Sequence, residues 1–285
     1  MTSAPARSWH VSAQSSDPPA AESASAAEVT VARWADGVVT RAKDLVTEEV
    51  PVALVYHGVP HVVMLATPAD LEDYAVGFTV SEGLVGDPRE IQSVEVERGK
   101  DSIEVRIGIA GERFAELLRR RRNLTGRSGC GLCGAETVDE AIRPPVKVAQ
   151  GLKLSAAELH AALVQLESMQ PVNARTGSIH AAAWVTPRGG IQLVREDVGR
   201  HNALDKVIGA LVRAGTDVTA GYAIITSRAS FEMVQKAATA GITFVAAVSA
   251  PTGLAIRMAE QTGLTLVGFA RRSSHVVYAN PERLT

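Results

Sequence analysis

Tyr222-Ala223-Ile224-Ile225-Thr226, Thr243-Phe244-Val245-Ala246-Ala247-Val248 and the run Leu264 to Ala270, with Phe231 to Ala240 and Gly253 to Thr262 between them, decide the fold. The three runs are apolar throughout rather than alternating, as strands are in a sheet covered on both faces. The segments between them read as helices. Strand–helix–strand alternation implies parallel neighbours joined by right-handed crossovers. Working upstream, a helix covers His201–Arg213. Before it, strands Ala181–Thr186 and Ile191–Arg195 flank the turn Pro187-Arg188-Gly189-Gly190. A capping box, Ser155-Ala156-Ala157-Glu158, opens a helix to about Met169. Downstream, a last strand lies near Val276–Ala279. Residues 148–285 therefore read as a three-layer α/β domain that begins with an antiparallel hairpin.

The part before it reads as a smaller α+β domain, residues 28–147. Strands are expected at Val29–Trp34, Val52–Tyr56 and His61–Ala66, the last two joined by the turn His57-Gly58-Val59-Pro60. Thr67 is the expected N-cap of a helix with Pro68 at its first position and Asp70 in its first turn. That helix runs to about Glu82 and stops at Gly83. A second hairpin, Ile91–Glu97 with Ser102–Ile107, precedes a helix from about Glu112 to Arg121. The domain ends in a glycine-rich segment, Gly126–Gly134, and a linker from Pro144-Pro145 to Gly151. Residues 1–27 are rich in Ala, Ser and Pro, without an apolar h-region. They read as a disordered tail rather than a signal peptide, which implies a reducing, cytoplasmic location.

The chain has 285 residues, 46% of them hydrophobic, enough for one or two packed cores. Its formal charge of −2 argues against a bulk electrostatic footprint for nucleic acid or membrane. No apolar run reaches the roughly 18 residues of a membrane span.

Both cysteines of the chain lie in one run, Cys130-Gly131-Leu132-Cys133. Arg119, Arg120, Arg121, Arg122 and Arg127 precede them, and positive charge favours the reactive thiolate. The same charge also suits a solvated helix end. Zinc needs two further ligands, yet a second CxxC is missing. A zinc deaminase needs His-x-Glu, and no histidine here has Glu at that position. A thioredoxin-type CxxC sits at a strand-to-helix turn, whereas this one follows a helix among glycines. Sulfur carriage as a persulfide fits this context best, with the second cysteine assisting transfer or releasing sulfur through a disulfide.

In open α/β sheets ligands bind beyond the carboxyl ends of the strands. Those ends supply Arg200, His201, Ser227, Arg228, Ser249 and Thr252, then Phe269-Ala270-Arg271-Arg272-Ser273-Ser274. Three of the loops lead into helices, whose N-terminal amides bind anions. A phosphate-bearing ligand such as a nucleotide is the expected occupant. Plain structural roles compete at several positions. Ser230 and Thr252 suit helix caps, Asp205 and Lys206 suit solvated helix positions, and His180 suits a satisfied structural histidine. Arg271 and Arg272 have no evident packing role.

Several runs together are similar to the FdhD/NarQ family of formate dehydrogenase accessory sulfurtransferases. They are Glu48-Glu49-Val50-Pro51, Thr67-Pro68-Ala69-Asp70, Ala75-Val76-Gly77-Phe78, Ser81-Glu82-Gly83 and Cys130-Gly131-Leu132-Cys133-Gly134. They continue with Thr176 to Ala182, Arg195 to Lys206, Phe231 to Ala237 and Ser249-Ala250-Pro251-Thr252. The resemblance spans about Val46 to Arg283 and is most specific in Arg195–Lys206. It implies a sulfur carrier that takes persulfide sulfur from a cysteine desulfurase. The sulfur passes to molybdenum (or tungsten) bis(molybdopterin guanine dinucleotide), a bound substrate, which then enters formate dehydrogenase. It also implies a cytidine-deaminase-like α/β core without zinc or any structural metal, assembled as a homodimer. Cys130 would carry the sulfur, Cys133 would support it, and Phe269–Ser274 would bind the cofactor. The rivals are a non-catalytic cofactor-binding chaperone and a thiol-disulfide oxidoreductase.

Overall fold

The computed structural model describes residues 25–124 and 146–285. Its strands form three sheets. β1 (Ala26–Ala35) and β2 (Val38–Thr47) pair as an antiparallel ribbon. β1 begins at Ala26, inside the segment read as a tail, and residues 1–24 lie outside the described residues. β2 has no counterpart in the sequence reading, because Arg41, Lys43 and Asp44 interrupt its apolar pattern. β3 (Val50–Tyr56), β4 (Val59–Ala66), β5 (Ile91–Arg98) and β6 (Ile103–Ile109) form a sheet of order β4-β3-β6-β5, with β3 parallel to β6.

The third sheet holds β7 (His180–Thr186), β8 (Gly190–Asp197), β9 (Tyr222–Ile225), β10 (Phe244–Ala247), β11 (Thr265–Arg271) and β12 (Ser274–Ala279). Its order is β12-β11-β10-β9-β7-β8. β9, β10 and β11 are parallel, as the alternation with helices predicts. β7 is antiparallel to both neighbours, so β8 runs in the direction of β9. The carboxyl ends of β8 to β11 therefore share one edge with the start of β7.

The helices are α1 (Leu71–Ser81), α2 (Gly111–Leu124), α3 (Ala156–Glu167), α4 (Pro171–Thr176), α5 (Arg200–Arg213), α6 (Phe231–Thr239) and α7 (Gly253–Thr262). Ser155 and Glu158 make the expected capping box of α3. Alternate residues of the third sheet face opposite layers. Ala183, Ile224 and Ala246 pack with Leu159 and Leu163 of α3, whereas Ala223, Ile225 and Val245 face the core that includes α5, α6 and α7. That core continues through α1 into the four-stranded sheet.

α1 and α5 cross at two glycines. A Cβ on Gly77 would stand 1.7 Å from the Asp205 carbonyl oxygen, and one on Gly209 would stand 1.8 Å from that of Asp73. Backbone meets backbone there, which only glycine permits.

Two local expectations are corrected. Thr67 does not cap α1: the N-cap is Asp70, in left-handed conformation with φ 53°. Thr67 instead accepts a bond from Val198 N–H at 3.1 Å and donates its own N–H to Asp197 Oδ2 at 3.1 Å. The threonine ties the four-stranded sheet to the end of β8. Asp205 and Lys206, expected on a solvated face, are 1% and 0% exposed. Lys206 Nζ meets Asp197 Oδ2 at 2.6 Å and also donates to the Thr67 and Glu196 carbonyls. Asp205 accepts from Lys236 Nζ at 2.9 Å and from Ser81 Oγ at 2.6 Å. Covering by α1 turns what would be an exposed face into an interior one, and each buried charge has a partner, as burial demands.

Candidate ligand site at the strand ends

The loops leaving β9 and β10 are joined to each other. Thr252 N–H donates to the Ala229 carbonyl at 3.0 Å, and Val248 N–H to that of Ile225 at 2.9 Å. Phe269 N–H then reaches the Ser249 carbonyl at 3.2 Å. The strand-end residues are thus held in one bonded row. Phe269 has a φ of 48° and is 43% exposed. For a bulky residue that left-handed backbone is strained, and such strain collects at functional positions.

A cavity of about 460 Å³ opens at this edge on the α3 side. Leu163, Leu166, Glu167, Gln170 and Asn173 line one wall, Thr226 and Val248 the floor, and Ala270, Arg271, Arg272 and Ser273 the other wall. The volume is in the usual range for small-molecule sites. Arg271 donates to the Val248 and Ala270 carbonyls, so it braces the strand ends, a packing role the sequence does not display. Arg272 makes a two-pronged pair with Glu167, Nε at 2.9 Å from Oε1 and Nη2 on Oε2. That pair holds the Glu167 carboxyl below the usual carboxylate range. Outside the cavity lining, α3 and β12 also meet: His160 Nε2 lies 3.0 Å from His275 Nδ1. Burial and then His160 hold the His275 imidazole below its ordinary value.

A second group of expected residues lies at the starts of α5 and α6. Arg200 is the first residue of α5, and its Nε is buried without a hydrogen-bond partner among the described residues. His201 Nε2 is 2.7 Å from Glu232 Oε2. The His201 bond lowers the Glu232 carboxyl, while burial and then Arg200 lower His180. Neither helix has a side-chain cap bond, so Ser230 occupies the N-cap position without capping. Thr252 does cap α7, accepting from Ala255 N–H at 3.2 Å. Ser227 Oγ turns to the Arg228 carbonyl at 3.1 Å. Arg228 and Ser274 are exposed.

The structure thus gathers Ala270, Arg271, Arg272 and Ser273 in one cavity and places Arg200 and His201 at the uncapped start of α5, where His201 reaches Glu232 at the uncapped start of α6. Glu167, Gln170 and Asn173 are missing from the sequence reading. Their signal is Pro171, which sits at the first position of the six-residue α4 and directs this segment back over the strand ends. Cys130, Cys133 and Arg127 lie in residues 125–145, outside the described residues. Among the described residues, no group of three or more His, Cys, Asp or Glu could hold a metal ion. No helix among them is long and apolar enough to cross a membrane. A larger cavity, about 580 Å³, lies at the opposite edge against Lys153, Glu158 and Arg188, but it contains none of the expected residues.

Residues 47–285 match the model of the FdhD/NarQ family. The chain is 51% identical over 254 residues to the Sulfur carrier protein FdhD of Cupriavidus necator, covering 89% of this chain and 88% of that one. It is 52% identical over 255 residues to the protein of the same name in Xanthomonas axonopodis pv. citri, covering 90% and 91%. It also resembles a crystal structure from Desulfotalea psychrophila, provisionally described as a formate dehydrogenase accessory protein. There the TM-score is 0.71 at 23% identity, with 91% of this chain and 99% of that chain covered, a likeness of fold.

Proposed function

The chain belongs to the FdhD/NarQ family, and from that premise we propose that it is a sulfur carrier in formate dehydrogenase maturation, with Cys130 as the persulfide site. The observation that carries this reading is the CxxC run itself: the chain's two cysteines stand together inside the matched region, in a glycine-rich segment. A Cys130 thiolate attacks the terminal sulfur of a cysteine desulfurase persulfide. The donor's S–S bond breaks, its thiolate leaves, and Cys130 becomes the persulfide. Cys133 then attacks the inner sulfur of Cys130. This releases the outer sulfur as sulfide to the metal of the acceptor and leaves a Cys130–Cys133 disulfide for cellular thiols to reduce.

The acceptor in this reading is molybdenum bis(molybdopterin guanine dinucleotide), held as substrate with a nucleotide end in the strand-end cavity. Arg271, Arg272 and the uncapped starts of α5 and α6 support it, because they favour anionic phosphates. The reading places the protein in the cytoplasm as a homodimer. The α+β part, residues 28–147, presents the cysteines to the α/β part, residues 148–285. It takes the latter as a deaminase-like core without zinc machinery, supported by the absent His-x-Glu. Incubation with a desulfurase and cysteine, followed by peptide mass spectrometry, should add one sulfur atom to Cys130. Sulfur on neither cysteine would refute the proposal.

A cofactor-holding chaperone is the second reading, favoured by the strand-end cavity with Arg271 and Arg272 in its lining, which would hold an anionic ligand without covalent chemistry. Full formate dehydrogenase maturation by the Cys130→Ala/Cys133→Ala protein would establish it over sulfur carriage.

A further inference from the structure

We propose that His201, backed by Glu232, is the proton-accepting group of sulfur transfer, acting on a hydrosulfide ion that Arg200 and Ser230 hold beside it. This rests on the reading that the protein carries sulfur.

Two helices meet here through their side chains. His201 Nε2 of α5 stands 2.7 Å from Glu232 Oε2 of α6. The two side chains are 25% and 32% exposed, so the pair is sheltered yet open to a small ligand. With Nε2–H donated to the carboxylate, the lone pair of the neutral ring lies on Nδ1. The carboxylate orients the ring and stabilises the imidazolium that forms when Nδ1 takes a proton, as in other carboxylate-backed histidines. The His201 bond holds the Glu232 carboxyl below its ordinary value, which keeps it ionised behind the ring.

Two donors nearby are unused. Arg200 Nε and Ser230 Oγ are buried without a hydrogen-bond partner among the described residues. Arg200 immediately precedes His201, and Ser230 stands two residues before Glu232. Orphaned donors at one place call for an acceptor, and a guanidinium among them favours an anion. The other charged or titratable groups around the pair are His180 on β7, Asp197 at the end of β8 and Lys236 along α6. Asp197 is paired with Lys206, and Lys236 with Asp205 and Glu82. Arg200 is thus the cation available to a ligand.

In the proposed cycle the Cys133 thiol loses its proton, and the outer sulfur of Cys130 leaves with one as hydrosulfide. This ion is small, singly charged and able to diffuse from the cysteines to the pair. To bond to the acceptor metal as sulfide it must shed the proton. His201 Nδ1 takes it: the S–H bond breaks, an N–H bond forms, and the S–H electron pair stays on sulfur to bind the metal. Nothing is oxidised or reduced in this step, and the imidazolium returns its proton to water.

The first test is single-turnover transfer from the full chain, already carrying labelled persulfide, to molybdenum bis(molybdopterin guanine dinucleotide) across pH. The wild-type rate should rise with pH as the imidazole gives up its proton. His201→Gln should slow transfer about a hundredfold or more and remove the rise. Glu232→Gln should move the rise toward acid, because the carboxylate no longer favours the imidazolium. Thermal melts check folding, and Glu232→Gln, which keeps the imidazole, decides the matter if His201→Gln does not fold. A wild-type rate and pH profile in the variants would overturn the role of His201. The second test is anomalous diffraction with bromide, a halide close to hydrosulfide in size. Bromide should sit against Arg200 and Ser230 and be lost in Arg200→Gln. Bromide absent there, or unchanged in Arg200→Gln and so an adventitious ion only, would overturn the anion seat. Persulfide on neither cysteine would instead overturn the sulfur-carrier reading beneath the proposal, with the bromide result still deciding the seat.

Discussion

Replacing Gly77 by alanine sets two well-known effects against each other. Alanine is the better helix former by about 1 kcal/mol, so an isolated α1 would gain. In the folded chain the new Cβ would lie 1.7 Å from the Asp205 carbonyl oxygen, where ordinary contact begins at 3.4 Å. The obstacle is backbone of α5, not a flexible side chain, so the helices must part by about 1.7 Å, the difference of those two distances. Parting opens a gap around Tyr74 and Leu204, both 0% exposed. Overpacking of this kind costs about 1–3 kcal/mol and more where backbone must shift. The net expectation is a loss of about 2–4 kcal/mol, measured by urea unfolding. Gly209→Ala should cost a similar amount, since its Cβ would stand 1.8 Å from the Asp73 carbonyl oxygen. The double variant should cost clearly less than the sum, because helices already parted accommodate the second methyl group. A Gly77→Ala protein as stable as the wild type, or more so, would refute the idea that the crossing is backbone-tight.

Lys206→Met should destabilise by about 3–5 kcal/mol, because it leaves Asp197, itself 0% exposed, without its cation; a loss under about 1 kcal/mol in denaturant unfolding would contradict this. His180 and His275 are both held below the ordinary imidazole value, the first by burial and Arg200, the second by burial and His160. Each therefore contributes stability above the unfolded value near 6.5, which is lost as pH falls from there through the folded values. Unfolding free energy should decline over that window, and His180→Gln or His275→Gln should flatten the decline; an unchanged slope in both variants would refute the linkage. Glu232, lowered by His201, contributes above the ordinary carboxylate range and loses that contribution as pH falls through its folded value. Glu232→Gln should therefore lower Tm at pH 7 and converge with the wild type in acid.

The apolar runs of β9 and β10 were legible because burial on both faces demands continuous hydrophobicity, and every residue of both strands is buried. The helices between them were legible by length and caps. Local rules failed where a distant element takes over a residue. Thr67 reads as a cap, yet it binds the end of β8, 131 residues on. Asp205 and Lys206 read as polar helix surface, and only α1, brought in through Gly77, makes them interior.

The candidate site divides the same way. Strand direction follows from the order of strands and helices, so the sequence by itself determined which loops share an edge and hence the place of Arg271, Arg272 and Ser273. It also determined the CxxC run, which is a matter of covalent spacing. Only the tertiary structure decided that Glu167, Gln170 and Asn173 form the facing wall, and that Arg272 is paired while Arg271 is a brace. The physical reason is distance along the chain: Glu167 and Arg272 are 105 residues apart. No local propensity encodes that meeting, which depends on α3 packing across the face of the third sheet.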